Sequence, residues 1–238
     1  MESQYSRLAD TIRCQARKHH KSRYLVAIAG IPGSGKTTTA HAVMRQLNED
    51  SVTRTALLSM DGFHLSREAL DHLPDPQLAH VRRGAPWTFD TEHFIQFVRR
   101  LRSWADEVTL VYPPLGSWSE KDVLRAPAFD HEVKDPVEDA IVITPDVSVI
   151  ILEGNYLLLD EPGWRDLPEL VDYRIFVDAD LGEARERLAK RHVCAGIEKT
   201  LEDGFRRVDS NDYLNALLIR SKLLRPDMVV TSIPSLQN

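Results

Sequence analysis

The fold of this chain is decided by the stretch Gly30-Ile-Pro-Gly-Ser-Gly-Lys-Thr37. It fits the pattern Gly-x-x-x-x-Gly-Lys-Thr, whose glycines let backbone N–H groups approach a phosphate and adopt turn dihedrals that a Cβ would forbid. In this pattern the lysine reaches the terminal phosphates and the threonine hydroxyl faces Mg²⁺. The stretch therefore predicts a nucleoside triphosphate site formed by Gly30, Gly33, Ser34, Gly35, Lys36, Thr37 and Thr38.

The sequence on either side supports this interpretation. Residues 24–29 form a short apolar run suited to a buried parallel strand, and residues 38–47 carry apolar side chains at helical spacing. The alternative is a glycine-rich turn with an incidental Gly-Lys-Thr. The order of strand, loop and helix favours the phosphate loop.

Composition limits the remaining classes of function. The chain has 238 residues, which fits one α/β domain with decorations, and 42% of them are hydrophobic and 28% charged. No apolar run is long enough to cross a bilayer. The net charge of -6 argues against nucleic acid as the main partner. Two cysteines, Cys14 and Cys194, without metal-like spacing fit reduced thiols inside the cell. We expect no membrane and no nucleic acid partner, and a homodimer is possible.

The first 22 residues are basic and have two interpretations. Cations such as Arg7, Arg13 and Arg17 fit an organelle-targeting peptide, but Glu2 and Asp10 interrupt it. Leu8, Ile12 and Ala16 equally fit an amphipathic helix. We expect a helix at 1–22 packed on a kinase domain at 23–238, and a cytoplasmic rather than a mitochondrial protein.

Strand-like runs alternate with helical patterns along the chain. The predicted strands are 24–29, 55–60, 108–112, 147–152, 173–177 and 228–231, and the predicted helices are 36–47, 91–104, 181–195 and 211–224. This alternation predicts an α/β protein of the P-loop NTPase type, with a mostly parallel sheet and helices on both faces. Two long connections, 71–89 and 113–136, are rich in proline and charge, as is typical of functional loops or lids.

Two carboxylates directly follow predicted strands, where ligands bind in such sheets. Asp61, in Met60-Asp-Gly-Phe-His64, is the candidate base that accepts a proton from an acceptor hydroxyl, the alternative being an Asp-Gly turn. His64 touches the acceptor or only packs. Glu153 follows residues 147–152 and is the candidate to hold a Mg²⁺-bound water. A rival strand at 157–159 before Asp160 and Glu161 is shorter and less β-branched.

The predicted helix after Asp178 is rich in cations. Arg187 and Arg191 are four residues apart and share a helix face. Over an ATP γ-phosphate they would neutralise the charge that develops in phosphoryl transfer. The alternative is a solvated face, with Arg185 and Lys190, that pairs with neighbouring glutamates.

These segments together resemble the phosphoribulokinase/uridine kinase family of P-loop kinases, from about residue 24 to 230. The resemblance rests on the phosphate loop, Met-Asp-Gly-Phe-His at 60–64, Leu-Glu-Gly-Asn-Tyr at 152–156 and the helix pattern of 178–191. It extends to pantothenate kinases, which have a similar Asp-Gly-Phe context. It implies that Asp61 accepts the proton, that Lys36 and Thr37 bind Mg-ATP, and that Arg187 and Arg191 close on it within a lid at about 185–210.

The chain also resembles a branch of uridine-kinase-like proteins called fructose kinases or ATPases. The segments that carry this similarity are 83–90, 127–131, 153–156 and 210–212. They depart from the nucleoside-binding pattern of uridine kinases. By position they make several residues candidates for an acceptor pocket next to His64, although Asp90 is equally the N-cap of the next helix. These candidates are Arg83, Phe129, Asp130 and Asn155.

The leading interpretation is a kinase that uses ATP and Mg²⁺ to phosphorylate an alcohol of a small metabolite: a nucleoside, a sugar or a pantothenate-like molecule. The alternative is an ATPase or nucleotide-regulated interaction module without such an acceptor. Cations such as Arg82, Arg83 and Arg206 would also fit a nucleotide kinase. The chain has no Asn-Lys-x-Asp segment for guanine.

Overall fold

The central element of the molecule is a five-stranded parallel sheet. The computed structural model describes residues 2–49, 53–107 and 118–232. The sheet contains β1 (Tyr24–Gly30), β2 (Thr55–Ser59), β5 (Val149–Gly154), β6 (Tyr173–Asp178) and β7 (Met228–Thr231), in the spatial order β2-β5-β1-β6-β7. The parallel α/β sheet confirms the predicted fold class. The strand predicted at 108–112 lies outside the described residues.

Helices cover both faces of this sheet. They are α1 (Glu2–Lys18), α2 (Lys36–Leu47), α3 (Arg67–Asp71), α4 (Pro76–Val81), α5 (Thr91–Asp106), α6 (Leu181–Cys194), α7 (Leu201–Ser210) and α8 (Asp212–Ser221). The bounds of α2 agree with the prediction. The helix predicted at 211–224 was too long, since α8 ends at Ser221. Asp90 is the N-cap of α5, because its carboxylate accepts a hydrogen bond from His93 N–H at 3.0 Å.

The core forms two layers because β1 and β5 are buried along their whole length. Strands buried on both faces carry few polar side chains, which explains the apolar runs in the sequence. On one face, Leu8 and Ile12 of α1 share a buried cluster with Val43 of α2. On the other face, α5 contributes Phe94 and Leu101 to a cluster that includes the residues after β5. Within the described ranges, no helix combines the length and apolar character needed to span a bilayer.

A β-hairpin replaces part of the second connection that was predicted to be a long loop. β3 (Leu124–Asp130) and β4 (Asp135–Ile143) pair antiparallel, with a register shift between Ala126 and Ala128. The hairpin lies on the turn after β2: a Cβ at Gly62 would stand 2.4 Å from the carbonyl oxygen of Pro127. Only a residue without a side chain permits this approach.

Candidate functional site

The phosphate loop connects the carboxyl end of β1 to α2. Gly30 is the last residue of β1, and Gly35 precedes α2 in a left-handed conformation with φ of 85°. Gly33 has φ of 78°, and a Cβ there would lie 2.6 Å from the carbonyl oxygen of Ala184 on α6. The loop is thus packed against the helix that carries the predicted lid arginines. Its backbone N–H groups and the amino end of α2 form a concave, electropositive surface suited to an anion.

Ser34 is fully buried within this loop. Its side-chain oxygen has no hydrogen-bond partner among the described residues. A buried hydroxyl without a partner is uncommon in proteins, and its position fits a loop that is completed by a bound ligand. Thr37 and Thr38, at the start of α2, are exposed toward the cleft described below.

Glu153 forms the floor of the site. It lies on β5 between β1 and β2, where its neighbours in register are Ile28 and Ser59. One carboxylate oxygen accepts a hydrogen bond from Thr37 Oγ1 at 3.1 Å and lies 3.9 Å from Lys36 Nζ. The other accepts a hydrogen bond from Ser59 Oγ at 3.4 Å. Hydroxyl and carboxylate oxygens are the ligands that Mg²⁺ prefers, so the predicted donor pair Thr37 and Glu153 fits this ion.

The environment of Glu153 is unfavourable to its charge. Burial raises the pKa of this carboxyl, while the charge of Lys36 and the hydrogen bonds from Thr37 and Ser59 lower it. The charge of Asp61 adds to the increase. A divalent cation at this position would favour the ionised form.

Asp61 lies in a short 3₁₀ turn, Met60–Phe63, immediately after β2. Its backbone N–H donates to Ser59 Oγ at 3.2 Å, and its side chain is 47% exposed. Asp61 and Glu153 therefore flank the same serine, one open to solvent and one buried. Both line a cleft of about 990 Å³ together with Thr37 and Thr38.

His64 supports the Asp61 turn from below the cleft. Its Nδ1 lies 2.9 Å from the Asp61 carbonyl oxygen, and because a carbonyl only accepts, Nδ1 carries the proton in this contact. The ring centroid stands 3.9 Å from that of Phe89 and 5.2 Å from that of Phe129. Burial lowers the pKa of His64, as does the charge of Arg83, against the opposing charge of Asp61. The His64 ring thus supports the turn through its hydrogen bond and its contacts with the two phenyl rings.

Arg83 and Asp130, both predicted to shape the acceptor pocket, make contacts with the hairpin. Arg83 donates hydrogen bonds to the Leu65 carbonyl at 3.0 Å, the Lys134 carbonyl at 2.6 Å and the Asp135 carboxylate at 2.7 Å. It therefore fastens the tip of the hairpin to the loop before α3. Asp130 is half-buried, and its carboxylate accepts hydrogen bonds from two backbone N–H groups of the hairpin turn. Neither residue lines the cleft.

The two other predicted acceptor residues have different positions. Phe129 lines the cleft and lies beside His64. Asn155 follows Glu153 but is not among the residues that line the cleft, and its buried Oδ1 has no hydrogen-bond partner in the part of the chain that the structure describes.

The cations of α6 serve different purposes. Arg187 donates to Ser232 Oγ at 2.8 Å and to Glu183 at 3.1 Å, next to the carbonyl of Gly33. Arg191 lines the cleft, and its side chain makes no hydrogen bond or ion pair with a described residue. Arg185 and Lys190 form the surface pairs expected of a solvated face, Arg185–Asp209 at 2.5 Å and Lys190–Glu186 at 2.6 Å. Only the predicted pair, Arg187 and Arg191, lies at the site.

Other sequence candidates lie outside the cleft. Arg82 bonds to Asn211 and Asn215, and Arg206 pairs with Glu202 and Asp203 on α7. The rival acidic pair is engaged as well, since Asp160 lies 3.3 Å from Arg165 and Glu161 lies 2.5 Å from Lys222.

Three histidines that were not predicted as site residues line the cleft: His41, His131 and His192. For His41 the signal was present, because it stands four residues after Thr37 and so shares its helix face. His192 directly follows Arg191. His131 lies at the hairpin turn, which no local pattern had predicted.

Comparison with known proteins agrees with this geometry. A model of the Phosphoribulokinase / Uridine kinase family matches residues 25–190. A protein of Schizosaccharomyces pombe named "Putative uridine kinase C227.14" is 36% identical over 90% of this chain and 85% of its own length. The ATP-dependent kinase YFH7 of Lachancea thermotolerans is 34% identical over 90% of this chain and 67% of its own length. The crystal structure of YFH7 from Saccharomyces cerevisiae superposes with a TM-score of 0.80 at 25% identity, covering 95% of this chain and 98% of that one.

Proposed function

Because the chain belongs to the phosphoribulokinase/uridine kinase family of P-loop kinases, we propose that it transfers the γ-phosphoryl group of Mg-ATP to an alcohol of a small metabolite. The observation that carries the proposal is the placement of two carboxylates around Ser59. Asp61 is half exposed in the cleft and Glu153 is buried beside Lys36 and Thr37. One carboxylate is available to a substrate and the other to a metal.

The phosphate loop and Lys36 hold the triphosphate, and the amino end of α2 adds its partial positive charge. Thr37 and Glu153 are the residues that would hold Mg²⁺, which supplies charge neutralisation on the phosphate oxygens when bound. When these groups hold the triphosphate, its γ-phosphoryl group faces the cleft that Asp61 lines.

Asp61 takes the proton of the acceptor. As the acceptor oxygen forms its bond to the γ-phosphorus, the bond from that phosphorus to the β-phosphate oxygen breaks, ADP leaves, and the hydroxyl proton passes to the Asp61 carboxylate. The half exposure of Asp61 suits a base that must reach an incoming substrate and then return its proton to water. His64 holds the turn through the Asp61 carbonyl.

Arg187 and Arg191 stabilise the charge that develops on the transferred group. Arg187 already lies beside the loop carbonyl of Gly33, and Arg191 projects from the same helix face into the cleft without a described partner. Cations placed before the reaction act without further reorganisation, which makes such electrostatic stabilisation effective.

The acceptor is a nucleoside, a sugar or a pantothenate-like molecule, since each is a small molecule that carries a primary alcohol. A relative is named for uridine and others for ATP-dependent kinase activity alone. Phe129 forms the acceptor side of the cleft, supported by the hairpin that Arg83 fastens. We place the protein in the cytoplasm, where ATP is abundant and the exposed thiols of Cys14 and Cys194 stay reduced.

The test is ADP release from Mg-ATP with and without a panel of nucleosides, hexoses, pentoses and pantothenate. Asp61→Asn should lower acceptor-dependent kcat by about 10²- to 10⁴-fold, the usual contribution of a general base, while ATP still binds. Asp71→Asn is the matched control, because Asp71 is an exposed aspartate that pairs with His80. Slow hydrolysis that ignores every acceptor and survives Asp61→Asn would instead support an ATPase or nucleotide-regulated module.

A further inference from the structure

A second groove lies apart from the cleft of the proposed reaction. Its volume is about 440 Å³, and it lies between the 3₁₀ turn Pro86–Thr88, the segment 161–164 and α8. Among the described residues that line it, none also lines the cleft that contains Asp61. A space of this size is typical of a small-molecule site, and the proposed phosphoryl transfer assigns no role to it.

Arg82 brings a positive charge to this groove. Its Nε and Nη2 donate hydrogen bonds to the side-chain oxygens of Asn211 at 3.1 Å and Asn215 at 3.2 Å. Asn215 and Leu218 are three residues apart and so share a face of α8, and Leu218 lines the groove. The guanidinium therefore lies on the helix face that continues into the groove.

Neutral groups bind this cation in the described part of the chain. Arg82 is half-buried and forms no ion pair with a described carboxylate. The other charged residue that lines the groove, Glu161, is already paired with Lys222 at 2.5 Å. A cation whose partners are amide oxygens favours an anion, because charge-assisted hydrogen bonds are about twice as strong as neutral ones.

The two asparagines that hold the guanidinium are themselves fixed. Asn211 Nδ2 donates to the Arg83 carbonyl at 2.8 Å. Asn215 Nδ2 donates to the Gly84 carbonyl at 3.4 Å. The other terminal nitrogen of Arg82, Nη1, has no hydrogen-bond partner among the described residues. One free nitrogen suits a carboxylate better than a phosphate, which carries more charge and three acceptor oxygens.

Aromatic and apolar side chains complete the groove. Trp87 is 47% exposed, although tryptophan side chains are highly buried on average. Pro86 and Pro162 line the groove beside it. Trp164 is 2% exposed and lines the groove from the buried side, with its ring centroid 5.3 Å from that of Tyr156. Flat apolar surfaces of this kind suit a planar ring.

We propose that this groove is a second ligand site, which binds a small molecule that carries a carboxylate and an aromatic ring. The carboxylate accepts a hydrogen bond from Arg82, and the ring packs against Trp87 and the two prolines. The ligand is not a reactant of the phosphoryl transfer, because Asp61 and Thr37 line the other cleft.

The experiment compares probes that share a phenyl ring and differ in the polar group. Phenylacetate is the probe for the site, phenylacetamide is its neutral counterpart of similar shape, and phenyl phosphate tests a phosphate. Each is titrated into the ¹⁵N-labelled full chain, and the indole N–H signals of the four tryptophans are followed by NMR. The Trp87→Phe variant assigns the Trp87 signal. We expect phenylacetate to shift this signal saturably, with a Kd at least about tenfold lower than that of either other probe.

Variants assign the preference to Arg82. Arg82→Met should raise the Kd of phenylacetate about tenfold and leave that of phenylacetamide unchanged, because it removes the charge and keeps an unbranched side chain. Arg165→Met is the matched control, since Arg165 is exposed, follows the segment 161–164 and pairs with Asp160 at 3.3 Å. It should leave both Kd values unchanged. If Arg82→Met fails to fold, the comparison of phenylacetate with phenylacetamide on the wild type still decides.

The results that would overturn this inference do not depend on kinase activity. They are an absence of phenylacetate binding, a Kd for either other probe as low as that of phenylacetate, and a shift confined to the other tryptophans. Displacement of phenylacetate by Mg-ADP would place the probe in the nucleotide cleft and equally overturn it. So would a Trp87 signal that moves with protein concentration alone, because a second copy of the chain would then cover the groove.

Discussion

The nucleotide side and the acceptor side of the cleft are built in different ways. The nucleotide side is continuous in sequence: eight residues, 30–37, supply the loop, and Glu153 joins them from the adjacent strand. The proposed acceptor side is assembled from the turn after β2 and from the hairpin, and the end of α6 lines the same cleft. Its parts are held by side-chain contacts such as those of Arg83 and His64.

This difference shows which parts of the site can vary independently. A loop that binds phosphate through backbone N–H groups depends on dihedral angles and close packing, and only the lysine and threonine act through side chains. A wall made of side chains on separate elements depends on the contacts that fix those elements. Substitutions on the two sides should therefore affect different kinetic constants.

The largest effect is expected on the nucleotide side, at Glu153. Glu153→Gln removes the buried carboxylate that would hold Mg²⁺, and we expect kcat/KM for ATP to fall by at least about 100-fold. The nucleotide-free protein should become more stable at neutral pH, because the pKa of Glu153 is raised in the fold and its ionisation opposes folding. Calorimetry should show a melting temperature about 2–4 °C higher. A melting temperature that falls would contradict this account.

The second-largest effect is expected from the backbone of the phosphate loop, at Gly33. Gly33→Ala should destabilise the protein by about 1–3 kcal/mol and raise the KM of ATP, since the new Cβ meets the Ala184 carbonyl at 2.6 Å. Gly196→Ala is a matched control: its φ of 68° is also left-handed, but no atom lies within 4 Å of the new Cβ. Urea denaturation measures both. Equal losses would mean that φ alone, and not the contact with α6, sets the cost.

A smaller effect is expected on the acceptor side, at Arg83. Arg83→Met removes the three contacts that fasten the hairpin tip, and we expect the acceptor KM to rise about tenfold with the KM of ATP unchanged. Steady-state kinetics with the preferred acceptor provides the measurement. Arg125→Met is the control on the same hairpin, because Arg125 pairs only with the exposed Glu120 among described acidic side chains. If only the KM of ATP increased, Arg83 would support the nucleotide side of the cleft and not the acceptor side.

The smallest effect is a pH dependence of stability from His64. Its pKa is lowered in the fold, so the unfolded chain binds more protons once the pH falls below about 6.5, and the free energy of unfolding decreases there. Above that pH both states are neutral and the contribution is complete. Melting curves are recorded from about pH 8 to about pH 5 in steps of about one pH unit. The melting temperature should depend less steeply on pH for His64→Phe than for the wild type. Identical slopes would exclude this origin.

The sequence predicted the nucleotide side better than the acceptor side, for a physical reason. The loop and α2 are specified by neighbouring residues, so the bounds 36–47 agreed with the structure. The hairpin at 124–143 was missed because its strands carry Pro127, Pro136 and several exposed positions, without the alternation that marks a half-buried strand. Arg83, predicted to shape the acceptor pocket, contacts Lys134 and Asp135, which are far from it in sequence, so no local pattern could predict these contacts.

The close approach of Gly62 to Pro127 fixes where the hairpin is seated on the turn after β2. The hairpin rests on a position where a single methyl group would force it away, because the carbonyl of Pro127 stands 2.4 Å from where that carbon would be. A hairpin transplanted from a related kinase should seat correctly as long as position 62 stays glycine, and the grafted tip would bring its own selectivity. Exchanging this one module should change the acceptor and leave the phosphate loop intact if the proposed acceptor site is correct.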